Sequence, residues 1–209
     1  KKGACAALIK NPKLAQEIIL ATIKGANGLP VSVKTRIGFD NIDTQNWVKV
    51  LLQTPITALI LHLRTAQEMS KVPAHWREIK EAVKIRNELK LNTIIIGNGD
   101  IKTLKEAKDK GKKYKIDGVM IGRGIFENVW FFNEKINIEN IIPKQKIDLL
   151  LRHLNLFKKT FGYTRHFELM KKFVKCYVNH FKGSSEARQS LMKTKSLDEL
   201  IQATSSLLF

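Results

Sequence analysis

Four places in this sequence set polar chemistry immediately after a short apolar run. Lys34 follows Val31-Ser32-Val33, His62 follows Ala58 to Leu61 with Arg64 two residues on, Gly97-Asn98-Gly99-Asp100 closes the run from Thr93 to Ile96, and Gly122-Arg123-Gly124 closes Gly118 to Ile121. Glycines let backbone N–H groups approach a ligand closely, and an arginine among them adds a planar fork of donors suited to phosphate oxygens. Tight turns alone would account for the glycines but not for Arg123. A lysine at the mouth of a sheet is costly unless it meets an anion or an electron-rich ring. His62, at the corresponding position of the next run, offers a second donor over the same space. Together these groups describe a phosphorylated ligand with a polar ring, held across the ends of several strands.

The elements that must position them alternate in type. The four apolar runs, Pro30 to Val33, Ala58 to Leu61, Thr93 to Ile96 and Gly118 to Ile121, are aliphatic or β-branched and bounded by turn signals, as expected of strands buried on both faces. Helical patterns separate them. Asn11-Pro12 reads as an N-cap with proline at the first helical position, and Leu14, Ile18 and Ala21 mark one apolar face. Asp43 or Thr44 caps a helix with Trp47, Val50 and Leu51, Trp76 opens one with Ile79, Ala82 and Val83, and Thr103 begins a short and very basic one. Such alternation predicts an α/β fold with a parallel sheet. Because every run delivers its polar residues at the same end, a (β/α)8 barrel fits better than an open doubly wound sheet.

From residue 144 to the end only helical periodicity remains, with 13 Lys and Arg against five Asp and Glu. The chain is therefore expected to divide into an α/β part over 1–143 and a small basic all-helical domain over 144–209. Over all 209 residues, 37 basic against 19 acidic side chains give a net charge of +18, which points to a polyanionic partner, nucleic acid or anionic membrane, unless the lysines are simply solvated helix faces. No stretch approaches the roughly 20 apolar residues of a membrane span, and no signal peptide opens the chain. A soluble, cytoplasmic protein is expected. Cys5 and Cys176 lie far apart without ligand-like neighbours, so neither a disulfide framework nor a metal site is expected, and Cys5 reads as a buried packing residue at a helix start.

Five segments in order, Lys1-Lys2-Gly3-Ala4-Cys5-Ala6-Ala7-Leu8, Val31-Ser32-Val33-Lys34-Thr35-Arg36-Ile37-Gly38, His62-Leu63-Arg64-Thr65, Ile96-Gly97-Asn98-Gly99-Asp100-Ile101 and Asp117-Gly118-Val119-Met120-Ile121-Gly122-Arg123-Gly124, resemble the second half of the tRNA-dihydrouridine synthases. That resemblance implies the last four or so βα units of a TIM barrel that binds FMN, followed by an RNA-binding helical domain. The implied reaction reduces the 5,6 double bond of particular tRNA uridines, with NADPH as electron source, hydride delivered to C6, and a cysteine protonating C5 of an extruded base. Lys34 and His62 would contact the flavin ring. Asn98, Gly99, Asp100, Gly122 and Arg123 would hold its ribityl phosphate, and Arg64, Lys171, Lys172, Lys175 and Arg188 would face RNA. The full-length protein would be a monomer.

The family's acid lies in an Asn-x-Gly-Cys-Pro motif ahead of the first segment; the sequence begins after that point, and Cys5 is not its counterpart. The 209 residues are thus expected to be a fragment with little activity alone. Leu63, Ala66, Ser70, Val72 and Val129 depart from common family residues. Two other functions fit parts of the pattern: an FMN barrel acting on a small molecule, and a non-catalytic RNA-binding half-barrel.

Overall fold

The computed structural model describes residues 4–207, so Lys1, Lys2 and Gly3 of the first family-like segment lie outside the described residues. Two compact units follow one another, the first ending at Gly124 and the second beginning at Ile125. In the first, α1 (Pro12–Gly25), β1 (Ser32–Arg36), α2 (Thr44–Leu52), β2 (Ala58–His62), α3 (Ile79–Glu88), β3 (Ile94–Asn98), α4 (Leu104–Tyr114) and β4 (Gly118–Met120) alternate. The strands form one parallel sheet in sequential order, with no switch of direction among them.

Register does most of the positioning. Lys34, Ile60, Ile96 and Gly118 pair across the sheet in one row, and Arg36, His62, Asn98 and Met120 in the row nearest the C-terminal ends. Because side chains alternate along a strand, both rows project to the same face. The opposite face carries Leu59, Leu61 and Ile95, all without solvent exposure, and is covered by helices. There the Trp47 indole of α2 donates to Thr35 Oγ1 at 3.1 Å. Trp76, in the 3-10 turn before α3, covers Gly97, where a Cβ would come within 2.7 Å of the indole ring.

Three local expectations need correction. The first strand runs to Arg36 rather than stopping at Val33. Alternation lets Lys34 and Arg36 leave by one face while Val33 and Thr35 meet the helices, so the charges do not end the ladder. Consequently the partner of His62 in register is Arg36, and Lys34 lies two residues deeper, opposite Ile60. In α1 the Asn11 cap forms as expected, with Oδ1 accepting from the Leu14 N–H at 3.2 Å, but the buried residues are Ala15 and Ile19. Leu14 and Ile18 are exposed, because α1 turns its other side to α2, where Gln16 donates to the Val50 carbonyl at 2.8 Å. Cys5 is exposed in a 3-10 helix, with a positive φ of 55°, and so is not a packing cysteine.

The second unit is built from short α5 (Gly124–Glu127), which begins at the boundary, then α6 (Pro143–Phe161), α7 (Glu168–Tyr177), α8 (Ser184–Lys193) and α9 (Leu197–Ser205). Ile147, Leu150, Leu154 and Phe157 of α6 pack with Met170, Val174 and Tyr177 of α7, Leu191 of α8 and Leu197 and Leu200 of α9. Residues 125–143, assigned to the α/β part by sequence, belong to this unit, and Val129 packs on its core. Lys146 is buried and donates to the Asn179 carbonyl at 2.9 Å, just beyond the end of α7. The same ammonium donates to Asn179 Oδ1 at 3.1 Å, so the segment that follows α7 is fixed to α6.

Gly97→Ala should overpack the contact with Trp76 and cost about 1–3 kcal/mol, read as an earlier midpoint in urea unfolding; an unchanged midpoint would mean that the indole shifts at no cost.

Candidate functional site

At the C-terminal edge of the sheet, consecutive strands deliver Lys34 and Arg36, then His62, then Asn98, to one face. Asn98 is buried and acts as a brace: its Nδ2 donates to the Met120 carbonyl at 2.9 Å, and its own carbonyl accepts from the Leu63 N–H at 3.0 Å. Those two bonds tie the ends of β2, β3 and β4 together. Lys34 keeps access to solvent, and its ammonium pKa is lowered by burial and then by the Arg36 charge.

His62 is held neutral. Burial first, then the charges of Arg36, Lys34 and Arg64, push its pKa down to about 4 against the opposing pull of Asp100. Its Nδ1 is buried without a hydrogen-bond partner. An orphaned polar atom in a native fold calls for a ligand or water to satisfy it.

Beyond β3 the backbone turns sharply through Gly99 at φ 141° and Asp100 at φ 53°. Glycine is required at 99 twice over, since a Cβ there would sit 2.7 Å from the Ala74 Cβ. The turn is clamped from the segment before α3. Trp76 Nε1 donates to the Gly99 carbonyl at 2.9 Å, the Ala74 N–H donates to Asp100 Oδ2 at 2.9 Å, and Arg64 Nη2 donates to the same oxygen. Burial raises the Asp100 pKa, but these bonds and the arginine charge outweigh it, so the carboxyl titrates below its ordinary range. Gly122 and Arg123, after β4, are exposed, and among the described residues neither Arg123 nor Lys34 forms a salt bridge.

Arg64, expected to face RNA, does not. It is 3% exposed, and besides Asp100 its Nε donates to the Val72 carbonyl. Its role is to hold the 72–74 segment against the Gly99-Asp100 turn. Lys171 is likewise buried, at 9% exposure, donating to Glu168 Oε1 at 3.0 Å and to the Thr194 carbonyl at 2.6 Å where α8 ends. Arg188 is half-buried and donates to the Val178 carbonyl at 2.8 Å, while Lys172 and Lys175 are exposed. Of the five residues expected at RNA, two therefore serve the interior.

Sequence reasoning missed a second clamp. Arg36 Nη1 donates to the carbonyls of Thr65 at 2.7 Å and Met69 at 3.1 Å. Within that loop the Thr65 N–H donates to Glu68 Oε2 at 2.7 Å, the Glu68 N–H returns to Thr65 Oγ1 at 3.2 Å, and Glu68 Oε1 meets His75 Nε2 at 2.8 Å. Burial raises the Glu68 pKa, but the bonds from Thr65 and His75 carry it below the ordinary value. Thr65-x-x-Glu68 is the reciprocal capping pattern, here closing a turn and not a helix, and it was visible in the sequence.

The strand ends of this parallel α/β sheet bring Lys34, an orphaned imidazole nitrogen and glycine turns to one edge, a set of groups whose chemistry suits an anionic partner. Comparison makes the class specific. The family profile described as dihydrouridine synthase (Dus) matches residues 1–208, and the chain belongs to that family. A "Probable tRNA-dihydrouridine synthase" of Staphylococcus aureus (strain Mu50) is 46% identical over 201 residues, and one of Staphylococcus epidermidis (strain ATCC 12228) is 45% identical over 202. "Probable tRNA-dihydrouridine synthase 2" of Bacillus subtilis (strain 168) is 40% identical over 200. Each alignment covers 95% of this chain and 60% of the relative, so the chain spans about 60% of the length of the curated relatives it matches. Among the described residues, no helix is long and apolar enough to cross a membrane, and no group of three or more His, Cys, Asp or Glu is placed to hold a metal ion.

Two outcomes test this geometry. The His62 ring should stay neutral down to about pH 5 and titrate near 4 in an NMR pH series. Since folding depresses its pKa from 6.5, it contributes no pH dependence above that value, and the folded state loses stability as pH falls from 6.5 towards 4. Arg64→Ala should cost about 1–3 kcal/mol in denaturant unfolding, the remaining Asp100 charge being partly relieved by solvent, and should loosen the 99–100 turn in hydrogen exchange.

Proposed function

We propose that this chain is the part of a flavin-dependent tRNA-dihydrouridine synthase that holds most of the FMN site and an RNA-binding helical region. On this reading the four βα units are half of a (β/α)8 barrel, and the protein works in the cytoplasm as a monomer, reducing the 5,6 double bond of a tRNA uridine with electrons from NADPH. The observation that carries it is the face shared by Lys34, His62 and Asn98 beside unpaired Arg123, in a chain of this family.

The residues present fit such a group. The buried, unpartnered Nδ1 of His62 needs a bond, Lys34 and Arg123 lack carboxylate partners, and exposed Gly122 has no side chain to keep an approaching phosphate from the backbone. Lys34 and His62 would lie against the isoalloxazine ring, while Asn98, Gly99, Asp100, Gly122 and Arg123 would surround the ribityl phosphate. When bound and reduced, FMN supplies the hydride for uracil C6.

What this chain's own groups contribute is binding and polarisation. The Lys34 ammonium would favour negative charge on a ring bound against it. His62, neutral at physiological pH, donates or accepts a hydrogen bond but carries no proton to give as an acid. Asn98 holds the strand ends in register, so that donors from separate strands converge on one ligand. Asp100 acts through its backbone, its carboxylate being committed to Arg64 and Ala74. The acid for C5 is assigned by family resemblance to a cysteine in an Asn-x-Gly-Cys-Pro motif, which these 209 residues do not contain. In the second unit, Lys172, Lys175 and Arg188 would meet phosphates, with Lys171 supporting them from within.

The test has two readouts. Protein carrying the complete family barrel should purify with flavin absorbance, and Arg123→Ala should weaken FMN binding about tenfold or more. In cells, deleting the gene should remove dihydrouridine from at least one tRNA position. Loss of neither flavin nor dihydrouridine would leave the assignment without support.

A further inference from the structure

Opposite residues account for the two faces of α6. Its inner side is core, whereas Leu149, Arg152, His153, Asn155, Leu156 and Lys159 line a groove of about 610 Å³ that Tyr177 of α7 closes. The composition of that groove is unusual for a solvated helix surface. Leu156 is 61% exposed, a large aliphatic side chain left uncovered at the centre of the stripe. Arg152 and Lys159 bracket it at four residues before and three after, so the two cations stand about 10 Å apart along the helix. Neither has a carboxylate partner among the described residues, and no carboxylate lines the groove. Lys158, the neighbouring lysine, is by contrast paired with Asp198 at 2.5 Å. At the wall, His153 Nδ1 and the buried Tyr177 hydroxyl share a hydrogen bond at 2.9 Å, and the His153 ring packs on Phe173 with centroids 5.4 Å apart. That bond fixes the imidazole in place and leaves Nε2 for another partner.

We propose that this groove receives one unstacked nucleotide of an RNA strand, with its base over Leu149 and Leu156 and within reach of His153, and its flanking phosphates at Arg152 and Lys159. An apolar floor takes a planar ring, a fixed polar edge takes its heteroatoms, and two separated cations with no internal counter-ion match a chain of phosphates on either side. The charge decides against a neutral ligand, and the spacing of the cations decides against a single anion. The groove is distinct from the Lys172 and Lys175 surface and adds a contact that depends on an unpaired base. This inference rests on the RNA-binding part of the proposed function.

Three variants of the full chain separate the possibilities, measured by fluorescence anisotropy with tRNA across a salt series. All replace exposed groups, and circular dichroism checks that each folds. Arg152→Ala with Lys159→Ala should lower the slope of log affinity against log salt by about 1.4, at about 0.7 per single-strand phosphate. Leu156→Ala should weaken binding about fivefold at unchanged slope, since it removes stacking surface and no charge. Lys172→Ala with Lys175→Ala serves as the comparison. If that pair weakens tRNA binding while both groove variants bind as the parent does, the groove is not a nucleotide site, and the proposed function stands. Failure of the parent chain to bind tRNA would overturn the RNA reading and the groove with it. Vesicles of phosphatidylcholine and phosphatidylglycerol provide the last arm: groove variants that lose vesicle binding but keep tRNA binding would assign the groove to a membrane and overturn the proposal.

Discussion

Like charge gathered at the end of a parallel sheet is the constraint around which the first unit is arranged. Register places Arg36 opposite His62 with Lys34 two residues behind, and Arg64 follows immediately after the same strand. Left alone, these groups would repel. The fold answers in three ways. Arg64 is withdrawn into the interior against Asp100, Arg36 spends its guanidinium on two loop carbonyls, and His62 gives up its proton. Among the described residues Lys34 remains on that face as a cation without a salt-bridge partner, so the fold does not neutralise this edge internally.

The same interactions build the loops. Asp100 neutralises Arg64 and, by accepting from Ala74, pins the segment before α3 over the Gly99 turn; Trp76 completes the contact from below. Arg36 reaches into the preceding loop, where Thr65, Glu68 and His75 form their own hydrogen-bonded chain. Loops that would otherwise sample many conformations are tied to strand ends, and the entropy of ordering them is met during folding. Electrostatics at the edge and rigidity of the loops are one device.

The second unit uses charge differently. Lys146, Lys171 and Arg188 each donate to carbonyls near helix ends, so part of a large basic surplus is structural. Net charge alone overstates the surface available to a polyanion. What remains outside, including Lys172, Lys175, Arg152 and Lys159, is unevenly placed, and only side-chain partners distinguish a lysine that binds from one that braces.

Alternation of apolar runs with capped helices was legible in the sequence, because burial on both faces and helix capping act over a few residues. The strand-end positions of His62, Asn98 and Gly99, the Asn11 and Thr103 caps, and family membership were all readable from local pattern. Tertiary structure alone decided which side of α1 is buried, how far β1 extends, and that Arg64 and Lys171 face inward. Each of those depends on partners distant in the chain: Val50 for α1, His62 for β1, Asp100 for Arg64, Thr194 for Lys171. A residue type states what a side chain can bond to. Which bond it makes is set by the groups that packing brings within 3 Å or so.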